Sequence, residues 1–288
     1  MIKDFIVLTK FVLSFAVSLS ALFAYIMAKG EISADMFIAT FAVLLVAMGV
    51  STLNQVQEYK EDALMERTKH RPIASGKVSR TTGIIIAAIL VMLSLLIIYN
   101  LLGMIGVNLF LFAFIWYNLV YTPLKKTTAL AVVPGAILGV IPPAIGWLTA
   151  GHELGEVEFF ALGLYYFIWQ IPHYWLLVML HYGGYKDAGY PTVMRLFGQD
   201  SLQRLTFVWL MMSIFTGFFM VDIFSPQNIF VIIMLIVNAI FGFVSSLKLL
   251  QKNFELTDAR SVFWKINLAF LGTIILLSIE EIIQHNAL

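Results

Sequence analysis

Residues 54–73 read "NQVQEYKEDALMERTKHRPI", and nine of these twenty side chains are Lys, Arg, Asp, Glu or His in a chain that is only 12% charged overall. On both sides of this island the sequence turns apolar. The 288 residues are 60% hydrophobic, with a mean hydropathy of +0.90, whereas soluble domains sit near 45–50% apolar and about 25% charged. Such a composition asks for lipid as solvent, and it puts the charged island at a membrane face. Cysteine is absent, so disulfides and thiolate metal sites are excluded. A net charge of +1 argues against a general nucleic-acid binder.

A helix that crosses a bilayer needs about 20 largely apolar residues. Working outward from the island, the chain offers nine such runs, at roughly 11–28, 35–53, 83–101, 104–121, 129–149, 157–180, 205–223, 227–248 and 262–283. The first thirty residues imitate a signal peptide but lack a prompt small-x-small cleavage site, and they read as a retained first span. Pro134, Gly135, Gly139, Pro142 and Pro143 fall inside the fifth run; neighbouring helices can satisfy the backbone groups they free, so they are compatible with a span. With nine crossings, 17 of the 18 Lys and Arg residues fall on one side and only Lys29 on the other. The positive-inside rule then makes the N-terminus cytoplasmic and the C-terminus external. The expected fold is an all-α integral membrane protein of nine transmembrane helices, one polytopic domain over 1–288. Two cytoplasmic loops stand out by length, 54–82 and 181–204. Long loops in compact bundles are usually functional or disordered, and neither of these is low in complexity.

If the second helix continues past residue 54, Asn54, Glu58 and Asp62 recur at i, i+4 and i+8. They then share one face over about 12 Å. A row of oxygen ligands suits a hard cation such as Mg²⁺, which keeps waters and shares its coordination with substrate phosphates. Arg67 and Arg71, just beyond, suit phosphate oxygens directly. Spacing alone leaves a second reading open, a solvated helix end whose acids pair with nearby lysines and lipid headgroups.

Other segments carry more information. The island, "YNLVYTPLKKTTALAVVPGAILGVIPPAIGW" at 117–147 and "WQIPHYWLLVMLHYGGYKDAGYP" at 169–191 together resemble the UbiA superfamily of membrane prenyltransferases, and within it the protohaem IX farnesyltransferase branch. The family pattern NxxxDxxxDxxMxRTxxRP is met at Asn54, Asp62, Met65, Arg67, Thr68, Arg71 and Pro72, with Glu58 in place of an Asp. Tyr121, Thr122, Leu124, Lys125, Lys126 and Thr128 resemble its YTxxLKRxT segment. Pro142, Pro143, Gly146 and Trp147 match PPxxGW, while Trp169, Pro172 and His173 match WxxPH. Tyr185, Ala188, Gly189 and Pro191 match YxxAGxP. The departure lies at Gly183 and Gly184, where the family carries a second acidic cluster. Asp187 stands nearby, and "YKDAG" at 185–189 echoes "YKEDA" at 59–63.

The resemblance implies a nine-helix bundle in the plasma membrane of a bacterium that transfers a farnesyl group from farnesyl diphosphate to a vinyl group of haem b, making haem O. It implies Mg²⁺ as cofactor, held by Asn54, Glu58 and Asp62; at the missing acids either Asp187 serves as a second anchor or the protein holds one metal less firmly. Arg67, Arg71, Lys125 and Lys126 would hold the diphosphate, although the two lysines also read as plain topology anchors. Asn54, Glu58, Asp62, Lys125 and Asp187 form the implied catalytic set. Trp169, Gln170 and His173 are the implied haem contacts, with His173 read as a haem contact, a proton carrier or a satisfied core residue. A haem A synthase or terminal oxidase assembly is the implied partner. Two other readings stay open: the same chemistry on another acceptor such as a quinone precursor, against which "PPAIGW" and "WQIPHYW" argue, and a transporter or inactive scaffold, for which the glycine pair argues.

Overall fold

The computed structural model describes residues 2–287, and among them every regular element is helical. A short α1 (Ile2–Leu8) precedes α2 (Phe11–Lys29), and Lys10 between them takes the left-handed conformation at φ 47°, ψ 44°. Next come α3 (Ala34–Gln57) and the single turn α4 (Tyr59–Leu64), then α5 (Arg80–Ile115). Ser33 and Ser79 begin α3 and α5 by accepting from Met36 N and Thr82 N, the usual role of a hydroxyl at a helix start.

The long α5 is two helices. Gly103 has φ 58° and ψ −145°, a conformation open to glycine and forbidden to other residues. A side chain placed on Gly106 would lie 2.6 Å from Ile98 Cγ1. Residues eight apart in a straight helix are separated by about 12 Å, so the chain folds back at Gly103. The sequence runs 83–101 and 104–121 are split at this point.

From Ile115 the helix passes into a π-helical stretch (Trp116–Tyr121) and the short α6 (Thr122–Leu124). The run at 129–149, expected as one helix, is interrupted. It comprises a 3₁₀ turn (Ala129–Ala131), α7 (Val132–Ala136), a second 3₁₀ turn (Ile137–Val140) and α8 (Ile141–Thr149). Pro134, Pro142 and Pro143 each withhold a donor, and tightening into 3₁₀ turns takes up the mismatch. Gly146 explains how closely α8 seats: a Cβ there would stand 2.0 Å from the Ala21 carbonyl oxygen of α2. Small residues permit such backbone approach in membrane bundles.

The remaining helices are α9 (Val157–Leu180), α10 (Tyr182–Asp187), α11 (Val193–Phe197), α12 (Gln199–Phe224), α13 (Ile229–Ser246) and α14 (Asp258–Ala287). The loop expected over 181–204 is thus largely helical and ends at Gly198, where α12 begins. Seven segments of the described residues are long and apolar enough to cross a membrane, with Arg80–Leu124 counted as one of 45 residues. The segment α9 is not among them, because Gln170, Pro172, His173 and its Tyr and Trp residues dilute its hydropathy. It is nonetheless central, packed against α7, α8, α11, α12 and α14. At the far end of the chain α14 packs back against α2.

Candidate active site

Three consecutive features of the charged island build one wall of a polar cavity. Helix α3 ends at Gln57, and Glu58 leaves helical geometry at φ −111°, ψ 17°. The expected uninterrupted helix is therefore broken at Glu58. The i→i−4 bonds survive the break, Glu58 N to Asn54 O at 3.0 Å and Asp62 N to Glu58 O at 2.8 Å, so Asn54, Glu58 and Asp62 keep a common side. All three side chains are buried. Beyond them Thr68 donates its hydroxyl to the Asp62 carbonyl at 2.9 Å. That clamp returns the chain so that Arg71 Nη1 reaches both Asp62 carboxylate oxygens, at 2.7 and 2.8 Å.

The π-helical stretch and α6 supply the opposite wall. Lys125 Nζ donates to Glu58 Oε2 at 2.7 Å, and Asn54 Nδ2 donates to the same oxygen at 2.9 Å. Thr122 Oγ1 receives the other Asn54 Nδ2 proton at 3.2 Å. Tyr117, Tyr121 and Lys125 repeat every four residues along this wall and line the cavity, which encloses about 130 Å³. A π-helical bulge of this kind is common where a helix must re-aim side chains into a site.

Two residues that the sequence reading did not single out complete the geometry. Lys10, turned inward by its left-handed backbone, donates to Asn54 Oδ1 at 3.1 Å. Tyr190, in the segment after α10, donates to Glu58 Oε1 at 2.9 Å. No local pattern announces either contact, since each joins the island across 44 residues or 132 residues. Burial would raise the Glu58 carboxyl, but the Lys125 charge and hydrogen bond, the Tyr190 hydroxyl and Lys10 hold it below the usual carboxylate range. Burial lowers the Lys10 ammonium to about 7, assisted by the Arg71 and Lys125 charges beside it. Burial and the Glu58 carboxylate push the Tyr190 phenol upward.

Of the implied metal and diphosphate residues, Asn54, Glu58, Asp62, Arg67, Arg71 and Lys125 line one cavity. Lys126 lies outside the lining and pairs with Glu61 at 2.6 Å. Asp187, the last residue of α10, is exposed and also outside it. Tyr185 and Tyr190 face the cavity instead. Among the described residues no group of three or more His, Asp or Glu side chains is disposed around a metal position. The oxygens available are the two carboxylates and the Asn54 amide, a hard donor set that fits Mg²⁺ shared with substrate phosphates.

The implied haem residues do not line one cavity. Trp169 stacks on Phe270 at 4.0 Å and 17°, and it lines a second, apolar cavity of about 320 Å³ between α9, α12, α13 and α14. Its indole N–H is buried without a partner. Gln170 lies on another face of α9, its Oε1 3.2 Å from where a Gly139 Cβ would stand. His173 packs between Trp169 and Phe263, ring centroids 4.6 and 4.8 Å away. Asn267 Nδ2 donates to the Phe263 carbonyl, so its Oδ1, 2.8 Å from His173 Nδ1, is the acceptor. The proton therefore sits on Nδ1 and leaves Nε2 as a free base, the usual way a neighbour fixes a histidine tautomer.

A model of the UbiA prenyltransferase family matches residues 2–271. The chain belongs to that family. Among curated relatives, it is 37% identical over 175 residues to the protoheme IX farnesyltransferase of Oleidesulfovibrio alaskensis, 61% of this chain and 62% of that protein. To the enzyme of that name from Geobacter sulfurreducens it is 39% identical over 158 residues, covering 55% and 58%. To that of Nitratidesulfovibrio vulgaris it is 30% identical over 208 residues, covering 72% of each. The first two alignments thus span less than two thirds of those relatives' length. Among solved structures, a digeranylgeranylglyceryl phosphate synthase superposes with a TM-score of 0.78 at 16% identity, over 98% of both chains. A UbiA homologue of Archaeoglobus fulgidus bound to GPP and Mg²⁺ superposes at 0.71 and 14% identity, over 96% and 99%. These likenesses establish the UbiA fold, and with its apolar helices the chain is a multi-pass membrane protein.

Proposed function

We propose that the protein is a metal-dependent prenyltransferase that moves the farnesyl group of farnesyl diphosphate onto a vinyl group of haem b, giving haem O. The observation that carries this reading is the single cavity in which Asn54, Glu58 and Asp62 face Lys10, Arg67, Arg71 and Lys125. The names of the relatives supply the acceptor. On this reading the fold-back at Gly103 divides the 45-residue segment into two crossings and α9 adds another, for nine in all, with the N-terminus cytoplasmic and the C-terminus outside. The cavity then opens on the cytoplasmic side of a bacterial plasma membrane.

Asn54 Oδ1 and the Glu58 and Asp62 carboxylates would hold Mg²⁺, which when bound supplies positive charge to the departing diphosphate. Lys125 and Arg71, which neutralise those carboxylates at rest, would be released to the phosphate oxygens. Guanidinium and ammonium groups placed where negative charge develops lower the barrier to ionisation. The C1–O bond breaks, and the allylic carbon bonds to the terminal vinyl carbon of haem b. Water captures the cation left next to the porphyrin and gives up a proton to a further water molecule. The apolar walls keep water from the allylic cation before transfer. A haem A synthase or terminal oxidase assembly would take the product.

The test is to incubate the purified protein with haem b, farnesyl diphosphate and Mg²⁺ and to search for haem O by mass. Release of pyrophosphate with a prenylated quinone precursor, and none with haem b, would transfer the reading to another acceptor. No consumption of farnesyl diphosphate with either acceptor would refute it.

A further inference from the structure

The carboxylates lining the polar cavity are Glu58 and Asp62, and both come from one turn of chain. The facing segment contributes the phenols of Tyr185 and Tyr190 and the hydroxyl of Thr192. Asp187 is exposed, and a side chain on Gly183 would meet nothing within 4 Å. The space for further acids exists, but the chain leaves it empty. Cations outnumber acids: Lys10, Arg67, Arg71 and Lys125 against two carboxylates leave two net positive charges when all are ionised.

We infer that the cavity takes a prenyl diphosphate together with one divalent cation rather than two, and that the buried ammonium of Lys10 supplies the charge a second ion would bring. The inference rests on the diphosphate reading. A monoalkyl diphosphate carries about three negative charges near neutral pH. One divalent cation added to the net charge of the lining already exceeds that. A second would be repelled by four neighbouring cations in a place where burial strengthens every charge–charge term, and on the facing wall it would find neutral phenols and the Thr192 hydroxyl in place of carboxylates. Lys10 is well placed for the role. It bonds to Asn54 Oδ1 at 3.1 Å, and it senses the charges of both Glu58 and Asp62. A loop lysine held in a left-handed turn is an unusual conformation for a non-glycine residue, and here it turns the side chain into the cavity.

Manganese binding tests this without turnover. The full-length protein, in detergent and saturated with farnesyl S-thiolodiphosphate, is titrated with Mn²⁺, and free Mn²⁺ is read by electron paramagnetic resonance. One tight Mn²⁺ per chain is expected; two would overturn the inference while leaving the prenyl-diphosphate reading standing. If the analogue binds neither with Mn²⁺ nor without it, that reading falls and this inference with it. The Lys10→Met variant should keep one Mn²⁺ and its melting temperature, yet bind the analogue at least tenfold more weakly, and Lys10→Arg should recover most of the loss. Undiminished affinity in Lys10→Met, or no recovery in Lys10→Arg, would remove Lys10 from the charge balance and sink that half of the inference.

Discussion

The ion pair between Arg71 and Asp62 gives the sharpest handle on how the site is held before any substrate arrives. The Asp62 side chain is 2% exposed and that of Arg71 18%, with Nη1 2.7 and 2.8 Å from the two carboxylate oxygens. Replacing Arg71 by Met keeps the stem and removes the charge, which strands a buried carboxylate. Breaking a buried pair from one side costs about 3–5 kcal/mol. Arg71 is partly exposed and the Lys10 charge also reaches Asp62, so the lower end, about 3 kcal/mol, is expected. For a chain of 288 residues that corresponds to a fall of roughly 5 °C in melting temperature. The assay is intrinsic tryptophan fluorescence during a thermal ramp of detergent-purified protein. Adding Asp62→Asn to the same chain removes the stranded charge, and the double variant should regain most of the loss, since the two residues are directly coupled. Mg²⁺ should raise the melting temperature of the Arg71→Met variant more than that of the parent, because in the parent the guanidinium competes for the same oxygens. Should Arg71→Met melt within about 2 °C of the parent, with no gain from Asp62→Asn, the pair does not hold the island together and the argument from its geometry is wrong.

Asp62→Asn or Asn54→Ala should remove most turnover while leaving membrane insertion intact, since each deletes an oxygen donor facing the cavity; near-parental kcat in either, with normal yield, would refute the assigned role. Asp187→Ala should change kcat/KM by less than about twofold, under roughly 0.4 kcal/mol, because that carboxylate is exposed and off the cavity lining; a tenfold loss rescued by high Mg²⁺ would restore it as a ligand. Gly146→Ala should prevent accumulation of folded protein, as its Cβ would meet the Ala21 carbonyl at 2.0 Å, and a normal yield with a normal melt would contradict the packing of α8 on α2. In this cysteine-free chain, single cysteines at positions 76 and 154 should be labelled from the cytoplasmic and outer sides respectively, and the reverse pattern would invert the topology and take the cavity to the wrong face.

What the sequence discloses and what it withholds follow from the range over which each feature is encoded. The lipid-facing runs are local, so counting apolar residues finds them and even divides α5 near Gly103, where the chain folds back. The row Asn54, Glu58, Asp62 is also local, and it survives the break at Glu58 because the i→i−4 bonds on either side persist. Lys10 and Tyr190 are invisible to the same reading, because they depend on a left-handed turn in one case and on the path after α10 in the other. The segment 142–147 shows the opposite hazard. "PPAIGW" suggests the haem acceptor by resemblance, yet each of its distinctive residues has a packing reason in the structure. Gly146 admits the Ala21 backbone, while Trp147 is buried and donates its indole N–H to Glu156 Oε2 at 3.0 Å. The two prolines lie buried at the start of α8. Motif residues of this chain therefore divide into those whose polar atoms face a cavity and those that set the walls around it. Loss of activity on changing Gly146 or Trp147 is expected to follow loss of folded protein, whereas loss at Lys10 with an unchanged melt would belong to the chemistry.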